Sequence, residues 1–117
     1  MIDVHACFQF IDVQVQEPAG LITAKWIVPH DLPYLQGHFP EQPIVPAVAI
    51  LDATNELLTQ ALGKPTELSA VKNAKFTKPL EPAQTVHIEC KPLGENEWTV
   101  DWKIESGELV AKLHFAI

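Results

Sequence analysis

The chain has 117 residues, 47% hydrophobic and 20% charged, a balance that excludes a disordered chain and allows a single domain over residues 1–117. Fifteen acidic residues against eight basic ones leave a net charge of −7, and every basic residue is lysine. So acidic a chain, without the arginine fork that suits phosphate, excludes nucleic acid as a partner.

The elements follow in chain order. Phe8 to Val15 reads as an imperfect period-two strand, Glu17-Pro18-Ala19-Gly20 as a turn and Leu21 to Val28 as a second strand, so residues 8–28 form a hairpin. Residues 29–46 carry Pro29, Pro33, Pro40, Pro43 and Pro46, which make a stiff loop; one of this length inside a small domain is usually functional. Residues 47–62 form the one convincing helix, with Pro46 at its first position and Gly63 and Pro65 at its stop. Its surface is apolar enough, especially through Leu51, to predict a buried helix. Strands are expected near 67–77, 84–92, 96–105 and 108–116. The turns between them are marked by Pro79 to Pro82, Gly94-Glu95-Asn96 and Glu105-Ser106-Gly107. The order predicts an α+β fold, one long helix wrapped by a mostly antiparallel sheet of about six strands. Such a sheet leaves edges, and edges are commonly managed by pairing with a second copy.

Several chemistries are missing. No apolar run reaches the roughly 18 residues of a membrane span, and Met1 to His5 place no basic segment before an apolar core, so a cytoplasmic protein is expected. Cys7 and Cys90 share no motif and are expected to be buried, reduced thiols. The five histidines are scattered, so no metal site is expected. Ser69 and Ser106 lie in no nucleophile elbow, and the isolated glycines build no phosphate loop.

The informative stretch is Gly37-His38-Phe39-Pro40-Glu41-Gln42-Pro43-Ile44-Val45-Pro46-Ala47, followed by Asp52. It sets a histidine in a rigid loop just before the helix and a carboxylate about one and a half turns inside it. A weak base and an acid held together are what proton abstraction and return require. Neither Ile44 nor Val45 can cap, so the first amides of the helix, those of Ala47 and Val48, are available to a ligand at the positive end of the helix dipole. The same residues also fit a polar loop histidine and a hydrated stripe of Asp52, Asn55, Glu56 and Thr59.

The stretch resembles the signature of the 3-hydroxyacyl-(acyl-carrier-protein) dehydratases of hot-dog fold: Gly-His-Phe-Pro, two residues, Pro, two residues, Pro-Gly, then Glu or Asp fourteen positions after the His. Gly37, His38, Phe39, Pro40, Pro43 and Pro46 match, and Asp52 stands fourteen after His38. Leu32-Pro33-Tyr34-Leu35-Gln36 and Ala74-Lys75-Phe76-Thr77-Lys78-Pro79-Leu80-Glu81-Pro82 are also similar to the family, so the resemblance spans roughly residues 10–116. There are departures. The glycine after the third proline is Ala47, the usual Gln four after the acid is Glu56, and the Pro-Gly-Asp after the Phe motif is Pro82-Ala83-Gln84. The acid is Asp, as in the dehydratase–isomerase branch, but Val48 stands where that branch has Cys. These mixed features look like the stand-alone dehydratases of polyene-type biosynthetic clusters.

The resemblance implies reversible loss of water from a 3-hydroxyacyl thioester, carried by acyl carrier protein, to give the trans-2-enoyl thioester without cofactor or metal. His38 would take the C2 proton as a neutral imidazole, the Ala47 N–H and helix N-terminus would stabilise the enolate-like oxygen, and Asp52 would protonate the departing hydroxyl. Phe39, Ala47, Val48 and Glu56 would contact substrate, and the acyl chain would lie in an apolar tunnel beside the helix. Lys72 and Lys78 would attract the acidic carrier, or else serve as ordinary edge-strand lysines. The resemblance further implies that each site takes its His from one subunit and its acid from the other. The assembly would be a homodimer or higher oligomer, or a heterodimer with a paralogous hot-dog chain. Two other functions stay open: a hot-dog acyl thioesterase, and a non-catalytic partner subunit of a dehydratase complex.

Overall fold

Alternating side chains divide the strands into an inner and an outer face, and the inner face builds the core. The computed structural model describes residues 8–32 and 44–117. Its elements are β1 (Ile11–Gln16), β2 (Leu21–Ile27), α1 (Ala47–Leu62), β3 (Ala70–Phe76), β4 (Thr85–Pro92), β5 (Glu97–Ile104) and β6 (Leu109–Ala116). All six strands join one sheet in the order β1-β2-β4-β5-β6-β3, and every neighbouring pair is antiparallel. The expected single helix against a six-stranded sheet is therefore the observed hot-dog architecture, with element bounds within a few residues of those predicted.

Register explains the core. Ile22 faces Cys90, which faces Val100, which faces Leu113. All four are fully buried. One step along, Ala24, Ile88, Trp102 and Ala111 form the next inner row. Each buried Leu, Ile or Val in these rows contributes roughly 1.5–3 kcal/mol relative to exposure. The outer face carries the alternate residues: Thr23, Glu89, Asp101 and Lys112 in one row, Lys25, His87 and Lys103 in another. Cys90 is a free, buried thiol, pushed up to about 12 by burial and then by Glu89; Cys7 lies outside the described residues. No helix of the described residues is long and apolar enough to cross a membrane.

The helix packs on the sheet through Ala49, Ile50, Ala53, Thr54, Leu57 and Leu58. The helix expected to be buried is buried along one side in the single chain. One sheet covers one side of a helix, and Ala47, Val48 and Asp52 lie exposed on the other. The start also differs by one residue: Pro46 is the N-cap, in extended conformation, and Ala47 is the first helical residue. The carbonyl of Pro46 accepts from the amides of Ala49 and Ile50 at 3.0 and 3.4 Å. At the other end Gly63 takes the left-handed conformation, φ 71°, and donates its N–H to the Thr59 carbonyl. Glycine reaches that conformation without the Cβ clash, which is why the stop was legible.

Two edges remain. Every residue of β3 is exposed, and its pairing with β6 shifts register between Val71 and Asn73. Every residue of β1 is exposed too, with a register shift against β2 between Ile11 and Gln14.

Candidate active site

His38 and Phe39, with Gly37, Pro40 and Pro43, lie outside the described residues; the structure does place what flanks them. Leu32 and Val45 are both buried, so the chain enters and leaves that stretch from the core. Val45 donates its N–H to the Leu80 carbonyl at 2.8 Å, which ties the approach to α1 to the segment between β3 and β4.

The helix brings the other expected residues onto one side. Val48, Asp52 and Glu56 recur at a spacing of four, so they form one stripe along α1. This stripe lies away from the face that packs on the sheet. Val48 is 54% exposed, Asp52 is exposed and Glu56 half-buried. Ile50 and Ala53, the apolar neighbours of Asp52 in sequence, turn under the helix to the sheet. Asn55 and Thr59, which also fitted a hydrated stripe, are instead half-buried and bonded to backbone. Asn55 Oδ1 accepts from the Leu68 N–H at 2.9 Å, and Thr59 Oγ1 accepts from the Thr66 N–H at 3.1 Å. Gln60 Nε2 donates to Glu56 Oε1 at 3.2 Å.

The first turn of α1 has no side-chain cap and no acidic residue. Its first amides, at Ala47 and Val48, precede the residues that reach the Pro46 carbonyl, so the helix offers them no acceptor. Beside them runs a mostly apolar groove of about 350 Å³, walled by Ile44, Ala47, Ile50, Phe76, Pro79 and Leu80. Phe76, Pro79 and Leu80 belong to the family-like stretch after the helix, and local pattern does not give them this position. The 2.8 Å link from Val45 to Leu80 ties their segment to the approach to the helix N-terminus. An oxyanion placed there would meet backbone donors and the positive helix end, with an apolar surface alongside.

A larger hollow of about 530 Å³ lies on the outer face of the sheet, away from α1, among Asp12, Thr23, Lys25, His87, Asp101 and Lys103. Charges there pair with one another or with neighbours: Lys25 with Asp12 and Asp101 with Lys112, each at 3.7 Å. Its lining mixes Ala24 and Ile88 with these charges, and the helix N-terminus is not part of it.

The two lysines singled out as a docking pair each have a carboxylate neighbour. Lys72, at the register shift in β3, bonds to Glu97, and Lys78, beyond the end of that strand, lies 3.3 Å from Glu108. Glu97 Oε2 also accepts from His114 Nε2 at 3.1 Å. The hydrogen bond from Lys72, then that from His114, holds the Glu97 carboxyl below the usual range. Among the described residues no group of His, Cys, Asp and Glu is arranged to hold a metal ion.

Solved structures of the same architecture define the class first. A chain of the dehydratase heterocomplex ApeI:P from Xenorhabdus doucetiae superposes with a TM-score of 0.79 at 20% identity, over 92% of this chain and 95% of that one. A putative thioesterase, yhdA from Lactococcus lactis, does so with a TM-score of 0.70 at 16% identity, over 97% and 94%. At such identities the likeness is one of fold, and the fold is the hot-dog. Sequence comparison narrows it: the family model for ApeI-like proteins, described as ApeI dehydratase, matches residues 14–114. The 3-hydroxyacyl-[acyl-carrier-protein] dehydratase FabZ of Rickettsia bellii is 31% identical over 122 residues, covering 92% of this chain and 83% of its own. The chain belongs to the ApeI-like dehydratase family.

Proposed function

We propose that this protein removes water from 3-hydroxyacyl thioesters, carried by acyl carrier protein, to give trans-2-enoyl thioesters. His38 takes a proton from C2. The Ala47 N–H and the end of α1 stabilise the enolate-like oxygen of the thioester carbonyl. Asp52 delivers a proton to the C3 hydroxyl, the C3–O bond breaks and water leaves. Phe39, Val48 and Glu56 contact the substrate. The observation that carries this reading is the uncapped N-terminus of α1: it lies beside an apolar groove, and Asp52 stands exposed about one and a half turns further along the helix. Family membership supports the same reaction class.

A second subunit belongs to the proposal. The exposed Val48, and the edge strand β3 with Val71 and Phe76 at 46% and 43% exposure, are apolar surface of the kind an obligate partner covers. The partner is a second copy or a paralogous hot-dog chain; the similar ApeI:P structure is a dehydratase heterocomplex. The departures at Ala47 and Glu56 favour a second reading, a subunit that acts only with such a paralogue.

The test is incubation of the purified protein with 3-hydroxyacyl thioesters of acyl carrier protein, followed by mass spectrometry. Loss of water from the acyl group is the expected result. Release of free carrier thiol instead would make it a thioesterase. Turnover only after a paralogous chain is added would establish the partner-subunit reading.

A further inference from the structure

The buried side of α1 is apolar except at one position. Ala49, Ile50, Ala53, Leu57 and Leu58 pack on the sheet together with Thr54, which is as fully buried as they are. Thr54 Oγ1 donates to the Ile50 carbonyl at 2.8 Å and accepts from Trp102 Nε1 at 3.2 Å. Trp102 is itself fully buried on β5, and its ring meets that of Trp26 edge to face, with centroids 5.9 Å apart and an interplanar angle of 81°. The donor is therefore held in orientation by a second aromatic ring.

A threonine in a helix can satisfy its hydroxyl on the carbonyl four residues back and needs nothing from the sheet. The bond from Trp102 goes beyond that local need. Apolar contacts hold a helix against a sheet but are non-directional, so they tolerate small slides and rotations. A hydrogen bond has a narrow range of distance and angle. Among the described residues, Thr54 has the only polar side chain buried on this face, so its bond to Trp102 is the only directional side-chain link found between this face and the sheet. Asp52 lies two residues after Ile50 and two before Thr54, about half a turn round the helix from both. The anchor thus sits across the helix axis from Asp52. Any rotation or slide of α1 would shift Asp52 and the Ala47 amide together, relative to the Phe76, Pro79 and Leu80 wall of the groove.

We propose that Thr54 is a positioning residue: through Trp102 it sets the rotation and axial register of α1 over the sheet, and so the placement of the Ala47 N–H at the groove and of Asp52 on the open side of the helix. The proposal rests on the dehydratase reading of that site for its kinetic consequence, and on geometry alone for its structural one.

The experiment uses Thr54→Val, which keeps the shape and removes the hydroxyl, with Thr54→Ser and Trp102→Phe. A displacement near 1 Å at a reacting group is enough to slow catalysis by up to about 100-fold, so a fall in kcat of about tenfold is expected for Thr54→Val, with KM within about twofold. Thr54→Ser should restore most of the loss. Thr54→Val and Trp102→Phe together should be no worse than the more damaging single change, because both remove one bond. A folded Thr54→Val protein with unchanged kcat, or a loss that Thr54→Ser does not rescue, overturns the proposal. Crystal structures of the parent and Thr54→Val proteins, superposed on β4, β5 and β6, provide the readout independent of activity. Displacement of the Asp52 Cα by about 1 Å is expected, and an unmoved helix overturns the proposal. Should the parent prove inactive on 3-hydroxyacyl thioesters, the dehydratase reading fails and this displacement still decides the positioning role. If Thr54→Val does not fold, Trp102→Phe takes its place in both measurements, since it leaves Thr54 bonded to Ile50.

Discussion

Val28 and Ala83 hold each other across the base of the fold: the Ala83 N–H donates to the Val28 carbonyl at 2.8 Å, and Val28 donates back to Gln84 at 3.0 Å. Ala83 does this at φ 70°, in the left-handed region. The Gln84 N–H reaches the Glu81 carbonyl at 3.3 Å. With Pro82 second and a positive φ third, Glu81 to Gln84 follows the type II turn pattern, whose third position favours glycine. The resembling family has glycine there, so this chain holds alanine in a conformation that costs roughly 1–2 kcal/mol.

Ala83→Gly should therefore stabilise the protein by about 1 kcal/mol, the relieved strain exceeding the added freedom of the unfolded chain. Thermal unfolding of the variant is the measurement. A midpoint a few degrees higher is expected, and an unchanged or lower one would show that the turn is unstrained.

His38→Ala and Asp52→Asn should each slow dehydration by at least about 100-fold in a folded protein, the scale of a positioned acid or base. If each site takes its two groups from different subunits, mixing the two inactive variants should restore activity. One site in each mixed dimer then carries both lesions and the other carries none. No recovery after demonstrated subunit exchange would place both groups of a site in one chain.

Reversing Lys72 and Lys78 to Glu tests carrier docking. If they attract the acidic carrier, KM for carrier-bound substrate rises, added salt has the same effect on the parent, and a small thioester is turned over as before. Because Lys72 already bonds to Glu97 and Lys78 to Glu108, docking must exchange those carboxylates for the carrier's. Equal effects on both substrates would assign the lysines to the sheet edge alone.

Glu97 makes stability depend on acid. Its folded-state carboxyl titrates below the usual range because Lys72 and His114 bond to its charged form. The unfolded chain therefore takes up the proton first as pH falls, and the contribution of Glu97, complete above the unfolded value near 4.3, is lost as pH drops through the folded one. Urea midpoints of the parent and Glu97→Gln should differ most at neutral pH and converge in acid. A gap that widens in acid would contradict the assignment.

Cys90 acts at the other end of the scale. Burial, followed by Glu89, raises its thiol to about 12, while an unfolded thiol ionises near 8.5. Stability from this group is complete below the unfolded value and is lost as pH rises between the two. In the native protein at mildly alkaline pH, a thiol reagent should leave Cys90 unlabelled, as peptide mapping separate from Cys7 would show. Rapid labelling of Cys90 without unfolding would mean that the site is open.

The sequence by itself determined what depends on neighbours along the chain. Alternation in β5 and β6, glycine at the helix stop and proline at its start are local signals, and they located every element to within a few residues. The spacing from His38 to Asp52, with the prolines between, carries the resemblance to the dehydratases. Tertiary structure decided what depends on residues far apart. Pairing of β4 with β2 and of β3 with β6 leaves β1 and β3 as edges, a choice that no local pattern encodes. Composition predicted a buried α1, but a helix apolar on much of its surface does not reveal which side the sheet will cover. The sheet took the side of Ala49, Ala53 and Leu57 and left Val48 and Asp52 open. Thr54 was indistinguishable from any helical threonine until Trp102, 48 residues away, was brought over it. Burial and hydrogen bonding of that kind exist only once the chain has folded, since their energies come from excluding water between groups that the sequence keeps apart.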